Sequence, residues 1–429
     1  MRKVRLRHLV QVNPSTPAFD RLPNDAELTF LPMESIWPDD RLNLSQRRIK
    51  SSVSIGYTRF QDGDVLVPKI TPTFEASRSV WITDGLVNGV GAGTTELHVL
   101  RAGPDIDPRF LLYLTHSHHF LKLGEAEMYG VAGQKRVPDS FVRDFPISLA
   151  NLDEQRRIAN FLDTATAQIK SIDDVRSRQL TLLRERTSAL ITEILLPGSL
   201  SSPTGKWPWE WLPAMEVGTP LVRLGYVCRL QSGLTIDGSR SLDDDVVTRP
   251  YLRVANVQAG RLDLESVTET TVPRKIAERS TLQPGDVLMT EGGDLDKLGR
   301  GTVWRGELPN CLHQNHIFAV RPHPDKLDAD YLALMTQTLH GRCYFESTGV
   351  KTTNLASTSS AKILSFPIPL PSLEVQRLLV ERVHTELTSI DTAKEAIESQ
   401  RRLLQERRRA LITAAVTGQI DVTTARGIA

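Results

Sequence analysis

The chain has 429 residues, 40% of them hydrophobic, which is enough for two or three domains with full-sized cores. Its 52 Lys and Arg nearly balance 51 Asp and Glu, so charge neither demands nor excludes nucleic acid. Three isolated cysteines (Cys228, Cys311, Cys343), basic amino-terminal residues with no apolar segment behind them and the lack of a membrane-length apolar run point to a soluble cytoplasmic protein without a disulfide framework.

Residues 1–145 read as a mixed α/β domain. Short β-rich segments such as "GDVLVPK" and "GTTELHVLR" are bounded by Gly and Pro, and the amphipathic helix "RFLLYLTHSHHFLKL" follows. Gly in the GDVL segment supplies a turn, and Asp107 is placed to cap the helix. The glycines of "NGVGAGTTE" run into a strand-like segment, which argues against a dinucleotide site. His116, His118 and His119 read as satisfied or solvated rather than as metal ligands. The loop "MYGVAGQKRVP" (128–138) sets Tyr129, Gln134, Lys135 and Arg136 among glycines. With Lys69 and Arg78, they are candidates for phosphate and base-edge contact.

Residues 146–198 read as a long helix that starts at an N-cap, Asn151, with Glu154 completing a capping box. Ile158, Leu162, Ile169, Ile172, Gln179, Leu183 and Leu190 step along it at about 3.5 residues, the seam of a coiled coil. Residues 199–220, rich in Pro, Gly and Ser, read as a linker carrying a Trp cluster (Trp207, Trp209, Trp211).

Residues 221–366 read as a second mixed α/β domain, with the segments "GDVLMTEGG" and "NHIFAVRP" and the helix "DYLALMTQTLHGRCYF". Its loops offer Lys297 and Arg300 in "EGGDLDKLGRG", and Lys351, Thr352, Thr353 and Asn354 in "STGVKTTNLAST", as further DNA-contact candidates. Cys311, His313 and His316 are close together, but no second ligand pair has zinc-site spacing. Residues 367–429 read as a second long helix and tail. Ser372 is the cap, and Leu379, Val383, Ile390, Ile397, Gln400, Leu404 and Leu411 form the seam, which Glu386 interrupts. Gln179 and Gln400 read as register-setting polar residues, with solvated edge positions as the simpler alternative.

The two halves are copies. "FPISLANLDEQRRI" at 145 returns as "FPIPLPSLEVQRLL" at 366, an offset of 221 (366 − 145). The same offset relates "LLRERTSALIT" (182–192) to "LLQERRRALIT" (403–413), and fainter echoes link "QDGDVLV" with "QPGDVLM". Two equivalent seams are best explained by each other. An antiparallel pair would place one domain at each end of a rod roughly 48 Å long, related by a pseudo-twofold axis. The expected class is α+β: two such domains separated by a pair of long antiparallel coiled-coil helices. "GSLSSPTGKW" fails the phosphate-loop pattern, and no nucleophile–base order or paired carboxylates stand out, so the chain reads as non-catalytic.

The doubled segments "FPISLANLDEQRRIANFLD" with "LLRERTSALITEILLPG" and "FPIPLPSLEVQRLLVERV" with "RRLLQERRRALITAAVTGQIDV", together with the loops "GGDLDKLGRG" and "KTTNLAST", resemble the specificity subunits of type I restriction–modification systems over almost the whole chain. The resemblance implies two target recognition domains, each reading one part of a split sequence in double-stranded DNA. It implies helices that act as a ruler and dock two methyltransferase (modification) subunits, which restriction/translocase subunits then join. It places no cofactor in this chain and expects S-adenosylmethionine, ATP and Mg2+ in the partners. A rod of that length would hold the domains about one to one and a half DNA turns apart, at roughly 34–36 Å per turn. Rival readings are a coiled-coil scaffold that binds only proteins, and the recognition portion of a single-chain enzyme.

Overall fold

The structure, a computed structural model, describes residues 2–38, 41–131, 133–199, 220–236, 245–258, 260–293, 298–351 and 356–422. The expected linker and its Trp cluster therefore lie outside the described residues. The chain forms two units that do not follow the linear division: residues 1–177 with 398–429, and residues 178–397. Both long helices contribute to both units.

The first unit contains β1 (Arg2–Arg5), β2 (Val10–Val12), α1 (Pro17–Arg21), β3 (Glu27–Leu31), β4 (Arg47–Ile49), β5 (Thr58–Gln61), β6 (Val65–Pro68), β7 (Val80–Trp81), β8 (Val90–Gly93), β9 (Leu97–Ala102), α2 (Pro108–His116), α3 (His118–Ala126), α4 (Asp139–Asp144), β10 (Pro146–Leu149) and the start of α5 (Leu152–Leu195). Its two main sheets run β2-β9-β6-β7 and β4-β3-β8-β5. The run "VLV" at 65–67 is apolar throughout because both faces of β6 are covered. Leu66 joins a core with Leu31, Phe60 and Val99, while Val65 and Val67 face α2 and α3.

The second unit repeats this plan with β11 (Leu221–Arg223), β12 (Cys228–Ser232), β13 (Val246–Leu252), β14 (Val257–Gln258), β15 (Arg261–Leu262), β16 (Thr268–Pro273), α6 (Arg274–Ser280), β17 (Val287–Thr290), β18 (Gly292–Gly293), β19 (Gly301–Val303), β20 (Leu312–His313), β21 (Ile317–Pro322), α7 (Ala329–Gln337), α8 (Leu339–Thr348), β22 (Val350–Lys351), β23 (Ala356–Ser357), α9 (Ser360–Leu364), β24 (Pro367–Pro369) and the first part of α10 (Leu373–Val416). The sheet β12-β21-β17-β19 answers β2-β9-β6-β7, and the parallel pair β13/β20 answers β3/β8.

The repeated sequence motifs now have physical explanations. In "GDVL" the glycines, Gly63 and Gly285, adopt φ of +89° and +93°, and the buried carboxylate after each takes an arginine. Asp64 receives Arg101 at 2.8 and 2.9 Å, and Asp286 receives Arg321 at 2.6 and 2.7 Å. The Phe-Pro-Ile stretch is a closing strand rather than part of a helix: β10 pairs with β1, and β24 with β11. Phe145 packs edge-to-face with Phe120 and Phe141, and Phe366 packs at a tilt with Tyr344 and Phe345. Asp107 caps α2 by accepting from the Arg109 and Phe110 amides.

Within each unit, segments of α5 and α10 run antiparallel. In the first, Asp173 receives Arg401 at 2.7 and 3.0 Å, and Ile158 and Leu162 share a core with Ile412 and Ala415. In the second, Lys394 donates to Thr187 Oγ1 at 2.8 Å, and Ile191 shares a core with Val383. The "ALIT" threonines close the domains crosswise: Thr413 Oγ1 accepts from the His118 amide of α3, and Thr192 Oγ1 from the Leu339 amide of α8.

The seam differs from the expected heptads. On α5 the fully enclosed Ile158, Ile169, Leu180 and Ile191 recur every eleven residues. Eleven residues make three turns at about 3.67 per turn, close to a straight helix, whereas a seven-residue stripe drifts about 20° per repeat. Ile172 is consequently 40% exposed. Gln400 and Glu386 are also exposed, with Arg401 and Leu387 turned inward beside them, and Gln179 is half-buried beside the buried Leu180. The remaining expected seam residues are buried or half-buried. Among the described residues, no helix is long and apolar enough to cross a membrane.

Candidate nucleic-acid interface

Beyond β6 the first unit carries a small hairpin. Tyr129 and Arg136 exchange backbone hydrogen bonds of 3.1 and 2.9 Å, and Ile70 pairs with the Arg136 arm from the other side. The Thr71 amide donates to the Lys135 carbonyl at 3.0 Å, and the Val137 amide to the Lys69 carbonyl at 2.9 Å. The turn is feasible because Gly130 and Gly133 adopt φ of +125° and +82°. Tyr129 is 62% exposed, and Gln134 and Lys135 are also exposed. Arg136 instead spends its guanidinium on Glu96, with contacts of 2.7–3.1 Å.

Below the hairpin lies a fully buried imidazole, His98, whose Nε2 donates to the Val137 carbonyl at 3.0 Å. Burial and the neighbouring Lys69 push its pKa down to about 4, against the opposing pull of Asp139 at 3.1 Å. A neutral ring therefore supports the hairpin base without adding charge to it.

The second unit builds the same arrangement. Gly292 pairs with Ser357, and Ser357 with Val350, in the sheet β18-β23-β22. Val350 and Ser357 stand 221 residues after Tyr129 and Arg136. Two loops that read as separate candidates in sequence thus share one sheet. Lys351 is exposed on it, whereas Lys297, Thr352, Thr353 and Asn354 lie outside the described residues. Arg300 is half-buried and follows Gly299, where a Cβ would overlap the Phe345 ring.

No family model matches the chain. It is 39% identical over 180 residues to the type I restriction enzyme EcoAI specificity subunit of Escherichia coli, covering 42% of this chain and 29% of that one. It is 37% identical over 182 residues to the EcoEI specificity subunit of Escherichia coli, covering 42% and 30%. The chain thus spans about three tenths of the length of these two relatives. A chain solved in work on complex assembly and conformational transition of the type I R-M system aligns over 98% of both chains, with a TM-score of 0.69 and 19% identity, and so has the same fold. The chain is a relative of type I specificity subunits.

In this specificity-subunit relative, the hairpin gathers Lys69, Tyr129, Gln134, Lys135 and Arg136, but not Arg78, whose guanidinium reaches the Ile36 carbonyl at 3.3 Å. The sequence reading missed Arg47 and Arg48 on the edge strand β4, although the run "QRRIK" marks them. Both are exposed, and Arg48 lies 3.8 Å over the Phe30 ring. The histidines near Cys311 have other partners: the buried His313 donates from Nδ1 to the Ile317 carbonyl at 2.9 Å, and the exposed His316 meets Glu291 at 2.6 Å. Among the described residues, no group of three or more His, Cys, Asp or Glu is placed to hold a metal ion.

Proposed function

We propose that this chain is the sequence-reading, non-catalytic subunit of a type I restriction–modification complex. Each globular domain reads one half of a bipartite target in double-stranded DNA, while the paired helices set the spacing and dock two methyltransferase subunits. The observation that carries this reading is one frame used twice: the strand order of the main sheet recurs, and caps, closing strands and hairpin stems recur at an offset of 221, while the segments between the stems match at no position. A repeated frame with unlike tips suits a reader of two different half-sites, much as dimeric readers place identical domains on two identical ones.

The docking role is supported by exposed residues that are identical in both helices. Leu182 and Leu403, one offset apart, are 54% and 59% exposed, beside Glu185 and Arg186 in one copy and Glu406 and Arg407 in the other. Packing inside the chain gives no reason for the same leucine to face outward twice, and two copies of one partner would give it. Methylation, with S-adenosylmethionine, and DNA cleavage, with ATP and Mg2+, belong in this proposal to the methyltransferase and restriction subunits. The scaffold reading gains no support from relatives named as specificity subunits of restriction enzymes.

Methylome sequencing of a host that expresses the chain with its methyltransferase, against a deletion of this gene alone, tests the proposal. The expected result is a split motif whose adenine methylation vanishes on deletion. Unchanged methylation, with both proteins expressed and assembled, would leave the scaffold as the better account.

A further inference from the structure

We infer that the hairpin of the first unit is an element that enters the DNA major groove, and that Gln134 and Lys135 at its tip determine the bases chosen in one half-site. The inference rests on the proposed function and adds the residues and the groove. A two-stranded β-ribbon fits the major groove, which is about 12 Å wide. The hairpin closed by the single Tyr129–Arg136 bridge has the form of a short ribbon end, held at its base by backbone pairing with Ile70 and Thr71 and by the Arg136–Glu96 fork. That fork separates the roles. The guanidinium of Arg136 is committed to a carboxylate and fixes the stem, whereas Gln134 and Lys135 stand exposed beyond it.

Their chemistry suits purine edges. A glutamine amide can donate to adenine N7 while accepting from N6, and a lysine ammonium can donate to guanine O6 and N7. The exposed Tyr129 ring offers an apolar face beside them, as does Val350, 54% exposed, at the matching place in the second unit. Comparison within the chain locates the reader. The stems match in antiparallel pairing, while "GVAGQK" (130–135) and "KTTNLA" (351–356) are identical at no aligned position. Two domains that read unlike sequences on one frame must differ where they touch bases, and here an invariant support carries an unlike tip.

The test is selection from a randomised duplex library by the full chain assembled with its methyltransferase subunits, comparing the unaltered chain with Q134A and K135A. Both side chains are exposed, so truncation leaves the core intact. Each variant should lose preference at one or two adjacent positions of one half-site, with the affinity ratio of cognate to single-base-substituted duplex falling roughly tenfold or more. The other half-site and the spacer should not change. An unchanged motif in both variants overturns the inference. A uniform loss of affinity with discrimination intact also overturns it, since that is the behaviour of phosphate contacts. If the unaltered assembly selects no bipartite motif, the proposed function itself fails.

Discussion

Gln155 and Gln376, 221 residues apart, make the same set of hydrogen bonds. The Oε1 of Gln155 accepts from the Asp107 amide at 2.9 Å, and its Nε2 donates to the carbonyls of Asp105 and Ala150. Gln376 accepts from the Asp328 amide at 2.8 Å and donates to the carbonyls of Lys326 and Pro371. Both are fully buried, and each rivets the start of a long helix to the capped end of a domain helix. Replacing either with alanine strands buried backbone groups, at about 1–3 kcal/mol apiece. Q155A should speed amide exchange in the first unit and Q376A in the second. A loss of stability below about 1 kcal/mol would show the rivet to be dispensable.

The eleven-residue seam makes a second prediction. Ile169→Ala and Leu180→Ala should each destabilise by about 2–5 kcal/mol, while Ile172→Ala should stay within about 0.5 kcal/mol. Urea denaturation separates the two cases. The reverse ranking would restore the seven-residue seam.

Acid should weaken the second unit. Burial pushes the pKa of both His313 and His340 down to about 4, and each ring donates to a backbone carbonyl, His340 to Pro367 at 2.7 Å. An unfolded histidine titrates near 6.5, so on acidification the unfolded chain takes up the proton first. The contribution is complete above about pH 6.5 and is lost as pH falls towards 4, on the order of 3 kcal/mol per residue. His340→Gln should flatten the slope of stability against pH between 7 and 5, whatever it does to stability at pH 7. A slope as steep as that of the unaltered chain would remove His340 as its cause.

The duplicated leucines give a prediction about partners. Leu182→Asp with Leu403→Asp should abolish co-purification of methyltransferase subunits and leave the melting temperature within a few degrees. Normal assembly of that double variant would move the docking surface elsewhere.

Much of the frame was legible because turns and caps are local. Asp107 needs only the amides two and three residues on, and the GDVL turn only its glycine. The seam was legible as far as Ile169, since heptad and eleven-residue stripes coincide over Ile158, Leu162, Ala165 and Ile169. They part at the next step, where the polar Asp173 rather than Ile172 turns inward. Its reason, Arg401, lies in the other helix. The hairpin candidates were visible as chemistry, but the commitment of Arg136 to Glu96 depends on strand order. The kinship of the two tips was hidden because only their offset is shared.

The crosswise threonines have a consequence for synthesis on the ribosome. The hydroxyl that closes α3 of the first unit belongs to Thr413, near the carboxyl end of α10, and residues 398–429 complete that unit's core. The domain translated first is therefore the last to be finished. A premature stop codon ahead of Glu398 would leave every residue of the second unit in place and cripple the first, so a downstream lesion would surface in the domain encoded upstream.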